Sequence, residues 1–232
     1  MAMIGRNNGG GGAEGGGEGN NVFWTTMSDL MLGLAIIFMT LFTLAMTGFS
    51  QSSVEQKQEQ IEASKELIEK LDQEHIEAQV DQMTGDIKIS DLELFELNEW
   101  TLSEKGKKYL DKLIPIYVDT IFSKQELLDG IENIVVQGHT DSQSFSGITN
   151  KEEQFSKNME LSLKRANSVA EYMLKTGYNV EYADKLKKKL IVEGKSFNEP
   201  IMVEGVEDFD KSRRVELKLE VKRWDIANAF GF

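Results

Sequence analysis

The apolar positions of this chain are crowded near its start. From Leu30 to Phe49 twenty residues pass without a charge (LMLGLAIIFMTLFTLAMTGF). A helix rises about 1.5 Å per residue, so a run of this length spans the roughly 30 Å hydrocarbon core of a bilayer. The pattern predicts an uncleaved transmembrane helix over 22–49. Phe23 and Trp24 fall where an aromatic belt lies. Thr40, Thr43 and Thr47 are expected to satisfy their hydroxyls on the helix backbone. A cleaved signal peptide fits less well, because the preceding residues are not basic, the run is too long and no clear A-x-A site follows. Residues 1–21 are rich in Gly and Asn and predict a flexible tail that cannot bury a core. The tail sets one Arg6 against Glu14 and Glu18, so charge does not orient the helix.

Beyond the apolar run, Gln51–Gln82 is polar, charged and free of Gly and Pro. Val54, Ile61, Ile68 and His75 recur every seven residues, with Ser64, Leu71 and Ala78 at the matching offset. This predicts a helical linker over 50–83, either a weak coiled-coil seam or a lone solvated helix. From Thr84 the pattern turns globular. Ile87 and Ile89 alternate with polar residues as a strand. Ser103 is placed to cap a helix through Leu110 and Leu113, with Pro115 near its middle or at its break. Ile134–Gln137 and Leu190–Glu193 read as short strands. Asn158–Thr176 reads as an amphipathic helix closed by Gly177. Arg214–Lys222 alternates strictly, with Val215, Leu217, Leu219 and Val221 on one side. Strands and helices thus alternate, as in an α/β or α+β sandwich with its helices on one face. The domain is expected over 84–223, followed by a short tail, 224–232.

Composition narrows the chemistry. The 232 residues carry 26 basic and 39 acidic side chains, a net charge of −13. Such a balance argues against nucleic acid as a partner, since that affinity needs a basic surface. The absence of Cys removes disulfides and thiolate metal sites. His75 and His139 lie far apart in sequence and suggest no metal centre, and no P-loop is present. A hydrolytic triad built on His139 and Asp141 lacks a G-x-S-x-G elbow. No enzymatic activity is expected.

Asp29 stands out. If the helix enters the bilayer near Val22, Asp29 lies roughly 10 Å along the axis. A carboxylate at that depth is costly to keep charged, so it takes up a proton or holds a cation. Alternatively Asp29 caps the helix at the interface, where a negative charge suits the N-terminal dipole.

The run FWTTMSDLMLGLAIIFM (Phe23–Met39) resembles the transmembrane signature of the B subunits of bacterial ion-driven rotary motors, the MotB and ZorB type. That resemblance implies that Asp29 is the ion-carrying carboxylate, for H⁺ or Na⁺, with no other cofactor. It also implies a cytoplasmic N-terminus, a single pass through the inner membrane and an exported C-terminal domain. The implied partner is a polytopic subunit of the MotA or ZorA type, five copies surrounding a dimer of this chain.

A second set of motifs runs in order through the globular part: VVQGHTD (Val135–Asp141), NMELSLKRANSV (Asn158–Val169), VEGKSFNEP (Val192–Pro200) and SRRVELKL (Ser212–Leu219). Together they resemble the OmpA-like peptidoglycan-binding domain, which implies a mixed sheet with helices on one face. The implied ligand is the zwitterion of a cell-wall stem peptide. An Arg fork suits its carboxylate and an Asp its ammonium. Arg165 and Asp141 match that pair, and Asn158, Leu161 and Arg214 match positions that line or order the site. A structural salt bridge between strand and helix is the plainer reading of Asp141 and Arg165, and an Arg pair at a strand start is often merely solvated. Ser142–Lys157 reads as a polar surface loop beside the pocket.

The pieces ELFELNEWTLSEKGKKYLDKLIPIYVD and KSRRVELKL look closer to the ZorB type of the Zorya anti-phage defence system than to flagellar stator subunits. A static tether between inner membrane and peptidoglycan, without ion flux, is the alternative from another class.

Overall fold

A computed structural model describes residues 17–96, 99–143, 145 and 147–222. The chain divides into two compact units, Met1–Ser52 and Ser53–Phe232. Helix α1 (Gly17–Gln73) contributes to both. It starts inside the stretch expected as a flexible tail, since Gly17–Asn21 are already helical. The rest of that stretch, and the expected tail 224–232, lie outside the described residues.

In the first unit, α1 is apolar from Phe23 to Met46, and the side chains of this 24-residue segment are all exposed. At about 1.5 Å per residue it is long enough to cross a bilayer with some tilt. Phe23 and Trp24 meet edge to face, their centroids 6.4 Å apart. The Thr40 hydroxyl donates to the Ile37 carbonyl at 2.8 Å, and that of Thr43 to the Met39 carbonyl at 3.0 Å. The hydroxyls are therefore satisfied on the helix itself, as an apolar surrounding demands. The side chain of Thr47 lies outside the described residues.

The second unit is built on a five-stranded sheet. Its strands are β1 (Gln79–Val80), β2 (Ile87–Ser90), β3 (Ile131–His139), β4 (Leu190–Gly194) and, after the hairpin β5 (Met202–Val203) and β6 (Val206–Glu207), β7 (Arg214–Val221). The order is β1-β2-β7-β3-β4, antiparallel except for the β3–β4 pair. The helices are α2 (Asp91–Leu94), α3 (Glu104–Phe122), α4 (Gln125–Gly130), α5 (Lys151–Met173), α6 (Val180–Lys189) and α7 (Phe209–Ser212). This is the expected mixed sheet with helices. Leu110, Leu113, Ile114 and Tyr117 of α3 and Ala166, Val169 and Met173 of α5 share one core with Ile87, Ile134, Val136 and Leu217 of the sheet.

Several local expectations shift in the folded chain. Ser103 does cap α3, accepting from the Gly106 amide at 2.9 Å. Pro115 does not break that helix, because fully buried residues on both sides (Leu113, Ile114, Tyr117, Val118) hold it in the core. Helix α5 starts at Lys151, so residues 151–157 are its first two turns rather than loop. Asn150 caps it, accepting from the Glu152 and Glu153 amides. It ends at Met173, and Leu174 rather than Gly177 follows as the cap.

The segment expected as a linker is not a separate linker. Ala63, Ser64, Leu67 and Leu71 of α1 are buried within the second unit, while Ile61 and Ile68 are only half-buried and His75 is exposed. Of the expected seam, Ser64 and Leu71 face inward, but Ala63 and Leu67 join them in place of Ile61 and Ile68; Val54 lies outside the residues whose side chains are described. Gln60 donates to the Thr84 carbonyl at 2.7 Å, Lys70 to the Thr120 hydroxyl at 3.2 Å, and Glu66 pairs with Lys124 at 3.1 Å. Burial of apolar area against its own domain holds this segment in place.

Candidate functional site

The register of three strands assembles the site. Ser90 at the end of β2 and His139 at the end of β3 both pair with Arg214, the first residue of β7. The residues just beyond these ends, Asp91, Asp141 and Arg213, therefore leave the sheet at one edge. The Asp91 amide donates to the Arg213 carbonyl at 3.0 Å, which locks the edge.

Arg165 reaches this edge from α5 because the helix lies unusually close to the sheet. Gly138 and Gly194 are register partners on β3 and β4. A Cβ on Gly138 would stand 2.0 Å from the Ser162 carbonyl oxygen, and one on Gly194 2.8 Å from the Ser162 hydroxyl. Only glycine admits that approach. Ser162 and Arg165 are three apart on α5, so the contact carries the guanidinium to the strand ends.

There the side chains form a four-charge cluster. Arg165 Nη2 pairs with Asp91 Oδ2 at 3.1 Å, its Nε donates to the Glu99 carbonyl at 2.9 Å, and its guanidinium lies 5.4 Å from the Phe95 ring centroid. Arg213 pairs with Asp141 and, on its other nitrogen, with Asp210. Asp141 also accepts from the Gln143 amide at 3.1 Å. The Arg165 and Asp91 side chains are only 3 % and 4 % exposed, whereas Asp141 and Arg213 are 10 % and 17 % exposed. The first pair is thus the floor of the site and the second its rim. Burial pushes the Asp91 carboxyl up to about 6, against the pull of Arg165 and Arg213, and the Asp141 charge adds to the rise. Burial likewise lowers Arg165, with Asp91 opposing. Asp91 Oδ1, Thr140 Oγ1 and Arg213 Nε are buried without a protein partner. Three such atoms near one end of the sheet are a costly arrangement unless water or a polar ligand completes it.

The sequence-derived pair is therefore brought together, but not as a direct bond. Asp141 and Arg165 act on each other through charge, and each holds a different immediate partner. Asn158 and Leu161 lie seven and four residues before Arg165 on the same side of α5. Asn158 is buried and donates to the Gln154 carbonyl at 3.1 Å; Leu161 is half-buried. Gln154 also ties down the stretch after Asp141, donating to the Gln143 carbonyl at 2.6 Å and accepting from the Phe145 amide at 3.1 Å.

Arg214 does not join the cluster. On a strand, neighbours face opposite sides, and Val215 faces the core. Arg214 pairs instead with Glu216 and donates to the Glu199 and Ser212 carbonyls at 3.2 and 3.1 Å. Its neighbour Arg213 takes the place at the site. The first half of the polar side of β7, Arg214 and Glu216, is itself buried, while Lys218 is half-buried and Glu220 exposed. Glu216 pairs with Lys218 at 3.1 Å, and His139 meets Gln137 at 3.0 Å, which donates to Glu193 at 2.8 Å. Burial, helped by Arg214, pulls His139 down to about 3, so its imidazole is neutral and belongs to this network. The His139 ring and the Asp141 carboxylate thus have separate partners, as a structural network requires and a triad does not. Among the described residues no group of three or more His, Asp or Glu is placed to hold a metal ion.

In the first unit, Asp29 stands exposed on α1, within the apolar stretch and six residues after Phe23. That is about 9 Å along the helix axis. It is the one charged residue between Phe23 and Met46.

Sequence patterns singled out Asp141 and Arg165 but missed Asp91 and chose Arg214 where the structure places Arg213. The signal for Asp91 was faint: a lone acid ending an alternating strand.

The OmpA family matches residues 94–214. ZorB of Escherichia coli (Crooks strain) is 29 % identical over 214 residues, covering 87 % of this chain and 89 % of that protein. ZorB of a second Escherichia coli strain is 22 % identical over 216 residues, covering 88 % and 82 %. The solved structure of a putative MotB-like protein from Desulfovibrio vulgaris has the same fold, with a TM-score of 0.51 at 21 % identity, covering 74 % of this chain and 97 % of that one. With a match that spans more than half of its residues, this chain belongs to the OmpA family, and along most of its length it is similar to the ZorB proteins.

Proposed function

We propose that this protein is a peptidoglycan-anchored, single-pass inner-membrane subunit of a proton- or sodium-driven rotary motor that serves anti-phage defence. The observation that carries this reading is the pairing, in one ZorB-like chain, of an apolar helix bearing a single acid with an OmpA-family domain bearing a four-charge cluster.

At the cluster, Asp91 and Asp141 with Arg165 and Arg213, and the exposed Asp210 outside them, present both signs of charge, which suits a zwitterion better than a simple anion or cation. A ligand carboxylate takes the fork of Arg213 or Arg165, and a ligand ammonium takes Asp141. Charges then exchange partners instead of losing them, which limits the desolvation cost. A cell-wall stem peptide carries both groups. The cluster is not an enzyme site in this reading, and it needs no cofactor.

At the helix, Asp29 carries the ion. An ion that binds neutralises the carboxylate, and its departure restores the charge. One helix with one acid makes no pore, so a polytopic ZorA- or MotA-like partner must enclose a dimer of this chain. Rotation of one subunit set against the other yields torque only if one is held, and the wall-bound domain holds it. The N-terminus then lies in the cytoplasm and the domain outside the inner membrane.

Asp29→Asn tests the reading. Ion flux and protection against phage should be lost, while membrane level, co-purification of the polytopic subunit and retention on sacculi stay at wild-type values. Full protection by Asp29→Asn would instead make the protein a static tether without ion flux; a capping role is already ruled out, because Asp29 lies twelve residues inside α1.

A further inference from the structure

Beside the charge cluster the domain exposes an aromatic side chain that its core does not use. Trp100 follows Glu99, the residue whose carbonyl Arg165 holds at 2.9 Å, and it is 43 % exposed. Lys164, the neighbour of Arg165 on α5, sets its ammonium 4.5 Å from the Trp100 ring centroid. This contact holds the indole against the helix. The ring walls a cavity of about 500 Å³ that continues over Leu163, Asn167, Ser168 and Glu171 of α5 to Val192 of β4.

The lining combines a flat aromatic face and two aliphatic side chains with an amide, a hydroxyl and one charge of each sign. Asn167 donates to Glu171 at 2.7 Å, which orients both groups at the wall. A polyanion or polycation finds no excess of opposite charge here. A sugar ring matches the set: its C–H face packs on indole and aliphatic carbon, and its hydroxyls and acetamido groups meet the polar side chains. The position selects the sugar. Lys164 with Arg165, and Glu99 with Trp100, are consecutive pairs that give one member to the cavity and one to the charge cluster. The two sites therefore adjoin.

We infer that the Trp100 cavity is a second subsite, which binds the glycan strand of the polymer whose stem peptide occupies the Asp141–Arg165 cluster. This rests on the peptidoglycan reading above and adds to it. Two linked subsites retain a polymer more firmly than either alone, because the second binds at high effective concentration.

The test uses the full-length protein in detergent and two probes: glycan strands freed of stem peptides by an amidase, and the soluble stem tetrapeptide. Wild type should bind both. Trp100→Ala should weaken strand binding about tenfold with peptide binding unchanged, and Trp100→Tyr should keep most of it. Asp141→Asn should do the reverse, weakening the peptide and sparing the strand. Equal strand binding by wild type and Trp100→Ala overturns the inference, as does wild type that binds peptide but no strand; either leaves the peptidoglycan reading standing. Wild type that binds neither probe overturns both.

Discussion

Gly138→Ala adds one methyl group at the closest approach of helix and sheet. The new Cβ would lie 2.0 Å from the Ser162 carbonyl oxygen and 2.8 Å from its carbonyl carbon, whereas ordinary contact begins near 3.4 Å. The obstacle is backbone in mid-helix, so no rotamer relieves it. Helix α5 must retreat from β3 by more than about 1 Å, since overpacked cores relax by backbone shifts. The retreat also strains the bond from the Ser196 amide to the Ser162 hydroxyl, now 3.1 Å. Overpacking costs typically about 1–3 kcal/mol, and a rigid backbone obstacle places this case near about 3 kcal/mol. For a domain of this size each kcal/mol lowers Tm by about 2–4 °C, so a fall of roughly 6–12 °C is expected. Thermal unfolding of the full-length protein in detergent, followed by near-UV circular dichroism, measures it. Gly177→Ala is the control, since its Cβ meets nothing within 4 Å. Stem-peptide binding should fall as well, because Arg165 moves with Ser162 and Asp141 stays with the strand. A Gly138→Ala protein that melts within about 2 °C of wild type would refute the claim that this glycine sets the helix–sheet distance.

Other substitutions probe the rest of the structure. Asp91 has a raised carboxyl in the folded state, about 6 against an ordinary 3.8. Its contribution to stability is therefore fully present below pH 3.8 and is lost as pH rises towards 6. The loss is at most about 3 kcal/mol, and the difference in unfolding free energy between wild type and Asp91→Asn should shrink by that order across this window. A difference that is constant with pH would mean that burial does not govern Asp91. Leu67→Ala, in the part of α1 that packs on its own domain, should cost about 2–5 kcal/mol in urea unfolding, independent of protein concentration. A concentration-dependent loss would point to a seam between chains instead.

The elements whose signal is local were legible in the sequence. An uncharged run of twenty residues, a Ser103 cap, the alternation of Ile87 and Ile89, and that of Val215 to Val221 each report on neighbours a few residues away, and each became the expected helix or strand. Ordered motifs also pointed to Asp141 and Arg165, which the fold brings near each other with different immediate partners. What failed were statements that depend on what packs against an element. Heptad spacing put Ile61 and Ile68 in a seam with Ser64 and Leu71; the domain surface buried Ser64 and Leu71 but added Ala63 and Leu67 and left Ile61 and Ile68 half-buried. Arg213 and Arg214 are adjacent and chemically alike, and only the start of β7 between them sends one to Asp141 and the other to Glu216. Asp91 is fifty residues from Asp141 and carries no motif; the order β2-β7-β3 sets both at one sheet edge. The sequence by itself determined most helices and strands and the long apolar helix, though not all their ends, because hydrophobic period and capping act over a few residues. Tertiary structure alone decided which charges meet, because that follows from strand order and from the helix–sheet distance that Gly138 and Gly194 permit.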